Sequence, residues 1–551
     1  MEGRAGLTRS WRGGLLRHPP PPWIDEVPDA GWPCSVWQLE SPAARLPSES
    51  GRAFLLTMAR RSRSAQKSAS GSALAAPIPV ALVHLGCARN LIDSELILAR
   101  MAERGLAITG DTEQAEVVVV NTCSFIGEAR EESRAAIEAQ LEAKRRGDLR
   151  AVVVAGCLVE RYRRGLVREF PEVDLFSEIS DYRELAGRVS RLASGQRVPA
   201  YLEAGLRRAE EREGARLLAT PGSYAYLRIS HGCDHQCSFC AIPVMRGKHR
   251  SKTAEAVLGE GRELLDAGVR ELVLVAEDST AWGRDFDSEL PDLVEALAEI
   301  DGDHMVRVMY AYPNRFPWRL AELLDQHPRV ARYLDMPVQH ASTNMLRAMR
   351  RHGSGEQMRG IVDRLLEEVP GLTLRTTLLM GFPGETDADA EEAVRFVESA
   401  RIARVGAFGY SPEEGTPGHE LDGRIEPELI RARLEAVFAA RDRVLFAEQE
   451  GRIGETLDVL VDEVHPHAPP GRPAWVGRDE REAPEVDLLV LPDPRSPESQ
   501  PGAEGRAGLT PPQAPEGLQV ADRIQARVTG VDGEGNLLVV EASEQDCAPS
   551  Q

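Results

Sequence analysis

The sequence repeats one short unit three times between residues 79 and 157: a valine-rich apolar run, then a turn, then a cysteine. The units are PVALVHLGC (79–87), AEVVVVNTC (115–123) and AVVVAGC (151–157). Segments of helical pattern separate them, and strands that alternate with helices predict a parallel, doubly wound sheet. The carboxyl ends of such strands share one edge, where ligands bind. We therefore expect Cys87, Cys123 and Cys157 to meet at that edge, since burial alone would not place each one directly after a strand.

A second group of cysteines lies in HGCDHQCSFCAIPVMRGKHR (231–250), where Cys233, Cys237 and Cys240 are spaced C-x3-C-x2-C. A structural zinc site uses four ligands, commonly in paired C-x2-C units, and the nearby histidines do not have that spacing. Three thiolates instead suit three irons of a four-iron cluster, with the fourth iron open to an outside ligand. A zinc-binding scaffold protein is the alternative. Three basic residues that follow can pair with a carboxylate or with a negatively charged cluster: Arg246, Lys248 and Arg250.

The cysteine loop opens a long region of strand and helix patterns, from about residue 219 to 447. Its later strand candidates are ELVLVAEDST (271–280), MVRVMYAYP (305–313), YLDMPVQHA (333–341), LTLRTTLLMGFPGET (372–386) and RVGAFGYSPEEGTP (404–417). Helical patterns such as TAEAVLGEGRELLDAG (253–268) lie between them. Five or six such units predict a partial (β/α) barrel, with its ligand site at the carboxyl ends of the strands.

The last part of the chain, residues 450–545, has strand alternation without long helices and predicts a small antiparallel β domain. Its strand candidates are GETLDVLVDE (454–463) and RIQARVTGVDGEGNLLVVEA (523–542). A Pro- and Gly-rich insert at 492–517 is predicted to be disordered, because such a composition cannot bury enough apolar surface to order itself.

The same reasoning divides the rest of the chain. Residues 1–77 are predicted to be a disordered extension, in which Met58 is an alternative start. Residues 78–193 form the domain of the first cysteine group. Residues 194–218 are predicted to be a linker, and GLRRAEEREGARLLAT (205–220) at its end has a helical charge pattern.

Composition limits the classes of protein that fit. The chain has 551 residues, which exceeds a single core and predicts several domains. Its net charge of −21 argues against a chain that wraps nucleic acid. We find no apolar run of membrane-spanning length and no secretory signal. We therefore expect a cytoplasmic protein without a membrane partner, whose clustered cysteines are metal ligands or catalytic thiols rather than disulfides.

At this point the residues resemble a known family. A C-x3-C-x2-C loop with Phe239 before the last cysteine is similar to that of radical S-adenosylmethionine enzymes. The wider match is to radical methylthiotransferases, through LGCARNLIDSE (85–95), NTCSFI (121–126), AGCLVERY (155–162), YLDMPVQHAS (333–342), RTTLLMGFPGET (375–386) and YSPEEGTP (410–417). That resemblance covers about residues 78–545 and implies a radical core followed by a TRAM-like β domain.

The resemblance also implies cofactors and roles. Cys233, Cys237 and Cys240 would hold a [4Fe-4S] cluster whose open iron binds S-adenosylmethionine, and reductive cleavage of that cofactor would yield a radical that removes a C–H hydrogen. Cys87, Cys123 and Cys157 would hold a second [4Fe-4S] cluster that carries the inserted sulfur. A second S-adenosylmethionine would supply the methyl group, a sulfur donor the sulfur, and flavodoxin or ferredoxin the low-potential electron. The cofactor contacts would come from Gly381, Gly384 and Glu277.

Within that family, the motif LGCARNLIDSE resembles the branch that methylthiolates the β-carbon of an aspartate in ribosomal protein S-twelve. The charge of the terminal domain favours the same branch: residues 451–551 hold 8 arginines, no lysine and 19 acidic residues, a net charge of −11. A domain that binds tRNA phosphates would need excess basic residues, whereas an acidic one attracts a basic ribosomal protein. The alternative is methylthiolation of a modified adenosine in tRNA.

Overall fold

The computed structural model describes residues 77–179, 182–203, 215–466, 468, 472–494, 514–515 and 517–542. The predicted extension, apart from residue 77, and residues 495–513 of the predicted insert lie outside this part of the chain. The described residues build a parallel α/β sheet, a second and larger α/β sheet, and a small β-barrel.

The first domain is a six-stranded sheet in the order β2-β1-β3-β4-β5-β6, and every neighbouring pair is parallel. Its strands are β1 (Pro79–His84), β2 (Ala107–Thr109), β3 (Val117–Thr122), β4 (Ala151–Gly156), β5 (Leu175–Ser177) and β6 (Tyr201–Leu202). Its helices are α1 (Ala88–Glu103), α2 (Gly127–Arg146), α3 (Cys157–Tyr162), α4 (Arg164–Glu169) and α5 (Arg183–Ala193). The central strands β3 and β4 are buried along their whole length, as expected for valine-rich strands covered on both faces. The predicted parallel sheet is confirmed.

Two details of this domain differ from the sequence-based expectation. The sixth strand, β6, comes from the segment predicted to be a linker. The residues predicted to form a helical linker are not helical where the structure describes them, at 215–220. Their course is set by tertiary contacts instead, because the backbone N–H of Ala219 donates to the Glu95 carboxylate on α1 (2.9 Å).

The second domain, called the core below, is a sheet of six parallel strands in the order β14-β13-β12-β11-β10-β7, in agreement with the predicted partial (β/α) barrel. Its strands are β7 (Tyr224–Arg228), β10 (Glu271–Val275), β11 (Met305–Val308), β12 (Val330–Asp335), β13 (Thr373–Met380) and β14 (Arg404–Gly409). A short antiparallel pair, β8 (Ser230–His231) and β9 (Arg250–Ser251), closes the base of the cysteine loop.

Helices cover the outside of this sheet. They are α6 (Ile242–Arg246), α7 (Ala254–Asp266), α8 (Leu290–Ala298), α9 (Arg319–Gln326), α10 (Thr343–Ala348), α11 (Gly355–Glu368), α12 (Asp387–Ser399) and α13 (Pro427–Gly451). Among the described helices, none is long and apolar enough to cross a membrane. Apolar residues of the strands and these helices form one large core, in which Leu227, Leu272 and Trp282 are almost completely buried.

The terminal domain is a closed barrel of five strands in the order β15-β16-β17-β19-β18. The strands are β15 (Thr456–Val464), β16 (Trp475–Arg478), β17 (Val490–Pro492), β18 (Arg523–Val531) and β19 (Leu537–Glu541). The pairs are antiparallel except β17 with β19, which is parallel. The start of the predicted insert is ordered, since Asp493 is buried and accepts a hydrogen bond from the Thr529 hydroxyl (2.8 Å).

A loop of this barrel, residues 479–489, packs against the amino ends of the core strands. Tyr224 and Tyr226 on β7 both donate to the Glu485 carboxylate (3.0 Å each). Tyr333 on β12 donates to Asp487 (2.5 Å), and Ala483 joins the apolar cluster inside the barrel. The loop therefore closes the amino end of the open barrel and leaves the carboxyl end to the first domain.

Candidate functional site

The first group of cysteines lies where the sequence predicts, at the carboxyl edge of the first sheet. Cys87 caps the start of α1, Cys123 follows β3, and Cys157 is the first residue of α3. Gly86 has a positive φ of 98°, and a Cβ there would stand 2.8 Å from the Cys123 sulfur. Only glycine allows the β1 turn to approach Cys123 this closely.

Buried amide and hydroxyl side chains hold these three turns together. Asn90 donates to the Leu85 carbonyl (2.6 Å) and to the Thr122 carbonyl (3.3 Å). The Thr122 hydroxyl donates to the Ala155 carbonyl (2.6 Å), so the turns after β1, β3 and β4 are linked in series. The three thiols are thus held by a hydrogen-bonded frame and not by apolar packing alone.

The pKa values of the three thiols differ because two arginines face only part of the group. Burial raises the pKa of Cys87, but the charges of Arg89 and Arg246 outweigh it and hold that pKa below its usual value. Burial, together with the two neighbouring thiols, raises the pKa of Cys123 to about 12. Burial also raises the pKa of Cys157, although Arg246 opposes it. Cys87 is therefore the thiol best prepared to ionise.

The second group lies on the loop after β8, which is anchored at both ends. The Cys233 N–H donates to the Gly247 carbonyl (3.1 Å), and the Ser238 N–H donates to the Met349 carbonyl (3.0 Å). Phe239 packs on an apolar cluster that includes Phe382. The aromatic residue before the last cysteine therefore fixes the loop by packing.

Arginine reaches this second group as well. The Arg351 guanidinium lies 3.8 Å from the Cys237 sulfur and stacks over the Tyr312 ring at 4.3 Å. The same ring stacks on His235, whose Nε2 is 2.7 Å from the Asp278 carboxylate. Asp278 is thus engaged inside the protein, in a contact with His235.

The two cysteine groups are joined by a buried ionic network. Asp93 on α1 accepts from Arg246 (2.7 Å) and from Arg228 (2.8 Å), both of the core. The second Nη of Arg246 lies 3.3 Å from the Cys157 sulfur. In the other direction, Arg89 of the first domain donates to the Ala276 carbonyl at the end of β10 (3.0 Å). Each domain therefore sends an arginine across the interface to the other.

This network shows which functional residues the sequence analysis missed. The motif LGCARNLIDSE indicated the family, its branch and one cysteine ligand, but Arg89, Asn90 and Asp93 in it also take part in the contacts between the domains. Arg246 was expected to meet a carboxylate or a cluster, and it meets Asp93 and the thiol of the other group. The sequence signal that could have identified them is an adjacent Arg and Asn shortly after a cysteine, followed by an Asp about one helical turn later.

Glu277 lies near an arginine of each domain, and one oxygen of its carboxylate has no hydrogen-bond partner in the described chain. Its charge acts on both Arg89 and Arg246. Its Oε2 is buried and has no hydrogen-bond partner within the described residues. A buried acceptor of this kind is costly unless a donor reaches it, so the position suits an ammonium group of a bound ligand.

The glycines predicted to contact the cofactor lie at the carboxyl end of β13. A Cβ on Gly381 would collide with Ile430 of α13, so the packing of that helix already requires glycine there. Gly384 has open space where a side chain would stand. Cofactor contacts at Gly381 and Gly384 therefore stay predictions.

Glu385, which directly follows Gly384, and His340, which lies 3.6 Å from the Glu385 carboxylate, are used inside the fold. The Glu385 carboxylate accepts from the Gly381 N–H (2.7 Å) and pairs with Arg433 (2.9 Å). His340 is fully buried and accepts from the Ser342 N–H (3.0 Å) through Nδ1. Both residues brace the turn that carries Gly381 and Gly384.

The donor chemistry of both groups fits iron–sulfur clusters. All six cysteines are free, and within the described chain no three His, Cys, Asp or Glu side chains are placed to share one metal ion. A four-iron cluster needs no such sharing, because each thiolate binds a different iron. Burial raises the pKa of Cys233 and of Cys240 to about 12, so metal binding there must displace protons.

Comparison with known families agrees with this geometry. The model of UPF0004, described as an uncharacterized protein family, matches residues 79–178, and that of the Radical SAM superfamily matches residues 227–397. The first match contains Cys87, Cys123 and Cys157, and the second contains Cys233, Cys237 and Cys240. The fold, the cysteine loop and these matches define a radical S-adenosylmethionine enzyme, which uses a [4Fe-4S] cluster and S-adenosylmethionine.

Curated relatives narrow the class. Proteins named ribosomal protein uS12 methylthiotransferase RimO match from Trichlorobacter lovleyi (40% identity, 75% of this chain and 91% of the relative), Myxococcus xanthus (39%, 75% and 86%) and Bacteroides thetaiotaomicron (39%, 74% and 90%). The chain belongs to this family of radical methylthiotransferases and is an enzyme that transfers a sulfur-containing group.

Solved structures are more distant. The radical S-adenosylmethionine methyltransferase TsrM of Kitasatospora setae, solved with cobalamin and a [4Fe-4S] cluster, is 15% identical and superimposes with a TM-score of 0.46 over 63% of this chain and 77% of that one. A likeness this weak bears on neither substrate nor site.

Proposed function

We propose that this enzyme methylthiolates the β-carbon of an aspartate in ribosomal protein uS12, replacing one hydrogen by an SCH3 group. Two S-adenosylmethionine molecules take part, one as the source of the radical and one as the methyl donor. A separate donor supplies the sulfur, and flavodoxin or ferredoxin supplies the low-potential electron. Two [4Fe-4S] clusters serve the reaction, at Cys233, Cys237 and Cys240 in the core and at Cys87, Cys123 and Cys157 in the first domain.

The observation that carries the proposal is the proximity of the two cysteine groups across one buried interface. Arg246, which follows the core loop, reaches within 3.3 Å of the Cys157 sulfur. Each group offers three thiols, which leaves one coordination position of a four-iron cluster open in each. Two groups of three thiols at a common interface suit a reaction that needs hydrogen removal and sulfur delivery at one carbon.

The side chains around the interface have separate tasks. When bound, the core cluster and S-adenosylmethionine supply the oxidant for the C–H bond. Glu277 would accept a hydrogen bond from the ammonium group of that cofactor through Oε2, which has no partner in the described chain. Arg89 and Arg246 hold the negative charge of the first-domain thiolates, and Asp93 keeps Arg246 in place.

The substrate assignment rests on the printed names of the relatives and on the charge of the terminal domain. The net charge of −11 over residues 451–551 favours a basic protein partner over RNA phosphates. Part of that charge is not available to a partner, because Glu482, Glu485 and Asp487 form hydrogen bonds with residues of the core. The acidic residues left on the barrel surface are therefore those that would contact the substrate.

A substrate competition tests the proposal. Anaerobically reconstituted enzyme receives S-adenosylmethionine, sulfide and a strong reductant, together with uS12 and bulk tRNA in one reaction. Mass spectrometry of peptides and nucleosides should find the SCH3 gain on an aspartyl peptide and none on a nucleoside. A uS12 variant with that aspartate changed to asparagine is the matched substrate control and should gain nothing.

The opposite distribution would establish the alternative. An SCH3 gain on a modified adenosine, without a gain on uS12, would assign the enzyme to tRNA and overturn the substrate assignment while leaving the chemistry intact. A preparation that holds zinc in both cysteine groups and modifies neither substrate would overturn the chemistry itself.

A further inference from the structure

Each cysteine group has an arginine donor against one of its sulfurs, and the two donors differ in origin. Arg351 lies against Cys237 and belongs to the same domain as that cysteine. Arg246 lies against Cys157 but belongs to the other domain, six residues after Cys240. One segment of the core thus carries a cysteine of its own group and a donor to the opposite group.

Arg246 is placed with little freedom. Its side chain is 3% exposed, and one Nη donates to Asp93 at 2.7 Å while the other faces Cys157 at 3.3 Å. Asp93 in turn is held by Arg228 on its other oxygen (2.8 Å). The geometry therefore fixes a positively charged N–H donor beside the Cys157 sulfur.

The charges in this region leave a positive surplus beside the thiols. The set formed by Arg89, Arg228, Arg246, Asp93 and Glu277 carries three positive and two negative groups. A buried surplus of charge is costly unless an opposite charge compensates it. In the first domain Arg246 acts on Asp93 and also on Cys157 and Cys87, so part of the surplus is directed at an anionic occupant of that cysteine site.

We infer that Arg246 is a positioning residue that raises the reduction potential of the first-domain cluster. The potential of an iron–sulfur cluster depends on hydrogen bonds to its sulfurs and on nearby charge. Reduction adds one negative charge to the cluster, and a fixed guanidinium at the Cys157 thiolate stabilises the reduced form more than the oxidised form. The inference rests on the proposed function, because it requires a cluster at Cys87, Cys123 and Cys157.

The test measures one cluster at a time in the full-length protein. Replacing Cys233, Cys237 and Cys240 by alanine leaves the first-domain cluster alone, and its midpoint potential is read from an anaerobic redox titration followed by electron paramagnetic resonance. Adding Arg246→Gln should shift the equilibrium toward the oxidised form at least tenfold, which is about 59 mV lower for one electron. Arg246→Lys keeps the charge and should give a smaller shift of the same sign.

Arg228→Gln is the matched control. It also removes a positively charged partner of Asp93 and loosens the same interface, but it leaves the contact between Arg246 and the Cys157 sulfur in place. Because the charge of Arg228 is part of the same surplus, Arg228→Gln should lower the potential by clearly less than Arg246→Gln does. An equal shift in Arg228→Gln, or no shift in Arg246→Gln, would overturn the inference. If Arg246→Gln does not fold, an unchanged potential in Arg246→Lys overturns it equally.

The reciprocal background separates this result from failure of the proposed function. With Cys87, Cys123 and Cys157 replaced by alanine, Arg351→Gln should lower the potential of the core cluster and Arg246→Gln should not. Absence of iron, sulfide and any cluster signal in the first background would overturn both the second cluster and the role of Arg246. A cluster that is present but insensitive to Arg246 would overturn the inference alone.

Discussion

Buried ion pairs hold the core at both ends of its strands, against the terminal barrel at one end and against the first domain at the other. The two interfaces use the same chemistry for different purposes. The lower interface lies at the amino ends of the strands, where Arg478 pairs with Asp462 (2.6 Å) and Glu271 (2.9 Å), and Arg404 binds Glu482. The upper interface lies at the carboxyl ends, where Asp93 binds Arg228 and Arg246. All of these groups are buried, so solvent screens neither set of ion pairs strongly.

The two interfaces differ in whether buried charged groups are left without a partner in the described chain once the ion pairs have formed. In the lower interface the charged side chains find their partners within the protein, as Arg478 does with three of its donors. In the upper interface Glu277 keeps a buried acceptor without a partner in the described chain, and two arginines face thiols. A closed network favours stability of the assembly, whereas an incomplete one is the usual mark of a site that receives a ligand.

The largest expected effect follows from removing a thiol of the upper interface. Cys123→Ala should abolish SCH3 transfer, and the iron content should fall by about four per chain if the site holds a four-iron cluster. Iron and sulfide analysis after anaerobic reconstitution, with the uS12 mass assay, measures both. Cys34→Ala, outside both groups, should change neither. Full activity in Cys123→Ala would contradict the sulfur-delivery role.

Next in size is the loss of a central charge. Asp93→Asn leaves Arg228 and Arg246 without their carboxylate, and breaking a buried pair costs about 3–5 kcal/mol of the free energy of unfolding. Denaturant unfolding of the purified protein measures it. The control is Asp148→Asn, which removes an exposed carboxylate beside Arg146 and should leave the transition unchanged. Equal transitions in the two variants would mean that the upper interface contributes nothing to stability.

The lower interface should show its contribution in the pH dependence. Burial raises the pKa of Glu271, but Arg307 and Arg478 outweigh it and hold that pKa below its ordinary value of 4.5. A depressed pKa gives stability that is present above pH 4.5 and is lost as the pH falls through the folded-state value. Wild type should therefore exceed Glu271→Gln by about 3–5 kcal/mol at pH 7, and the gap should narrow below pH 4.5. A gap independent of pH would contradict an ionised Glu271.

The smallest effect is expected at the rim of the upper interface. Glu413 of the core binds Arg130 and Arg161 of the first domain, but Arg161 also donates to the Ser124 carbonyl (3.0 Å). Because part of the network survives, Glu413→Gln should cost only about 1–3 kcal/mol in denaturant unfolding. The neighbouring, exposed Glu414→Gln is its control and should not shift the transition. A loss as large as that of Asp93→Asn would place the main domain contact at the rim.

Much of the fold was accessible from the sequence because it depends on local periodicity. Valine-rich runs such as 117–120 predict buried strands, and their alternation with helices predicts parallel sheets. The position of each cysteine directly after a strand then predicts that Cys87, Cys123 and Cys157 share an edge. The closed barrel follows less directly, since its parallel β17–β19 pair spans an insert whose length the strand pattern does not constrain.

Sequence patterns alone predict the two sets of three thiols, the parallel strands that gather the first set, and the class of chemistry. Which charged side chains meet depends on how the domains pack. Arg246 and Asp93 are 153 residues apart, and Arg404 and Glu482 are 78 apart. Pairing over such separations depends on how domains pack, and a buried charge accepts whichever opposite charge the packing delivers. For the same reason Gly381 proved to be required by Ile430, a residue that no local pattern connects to it.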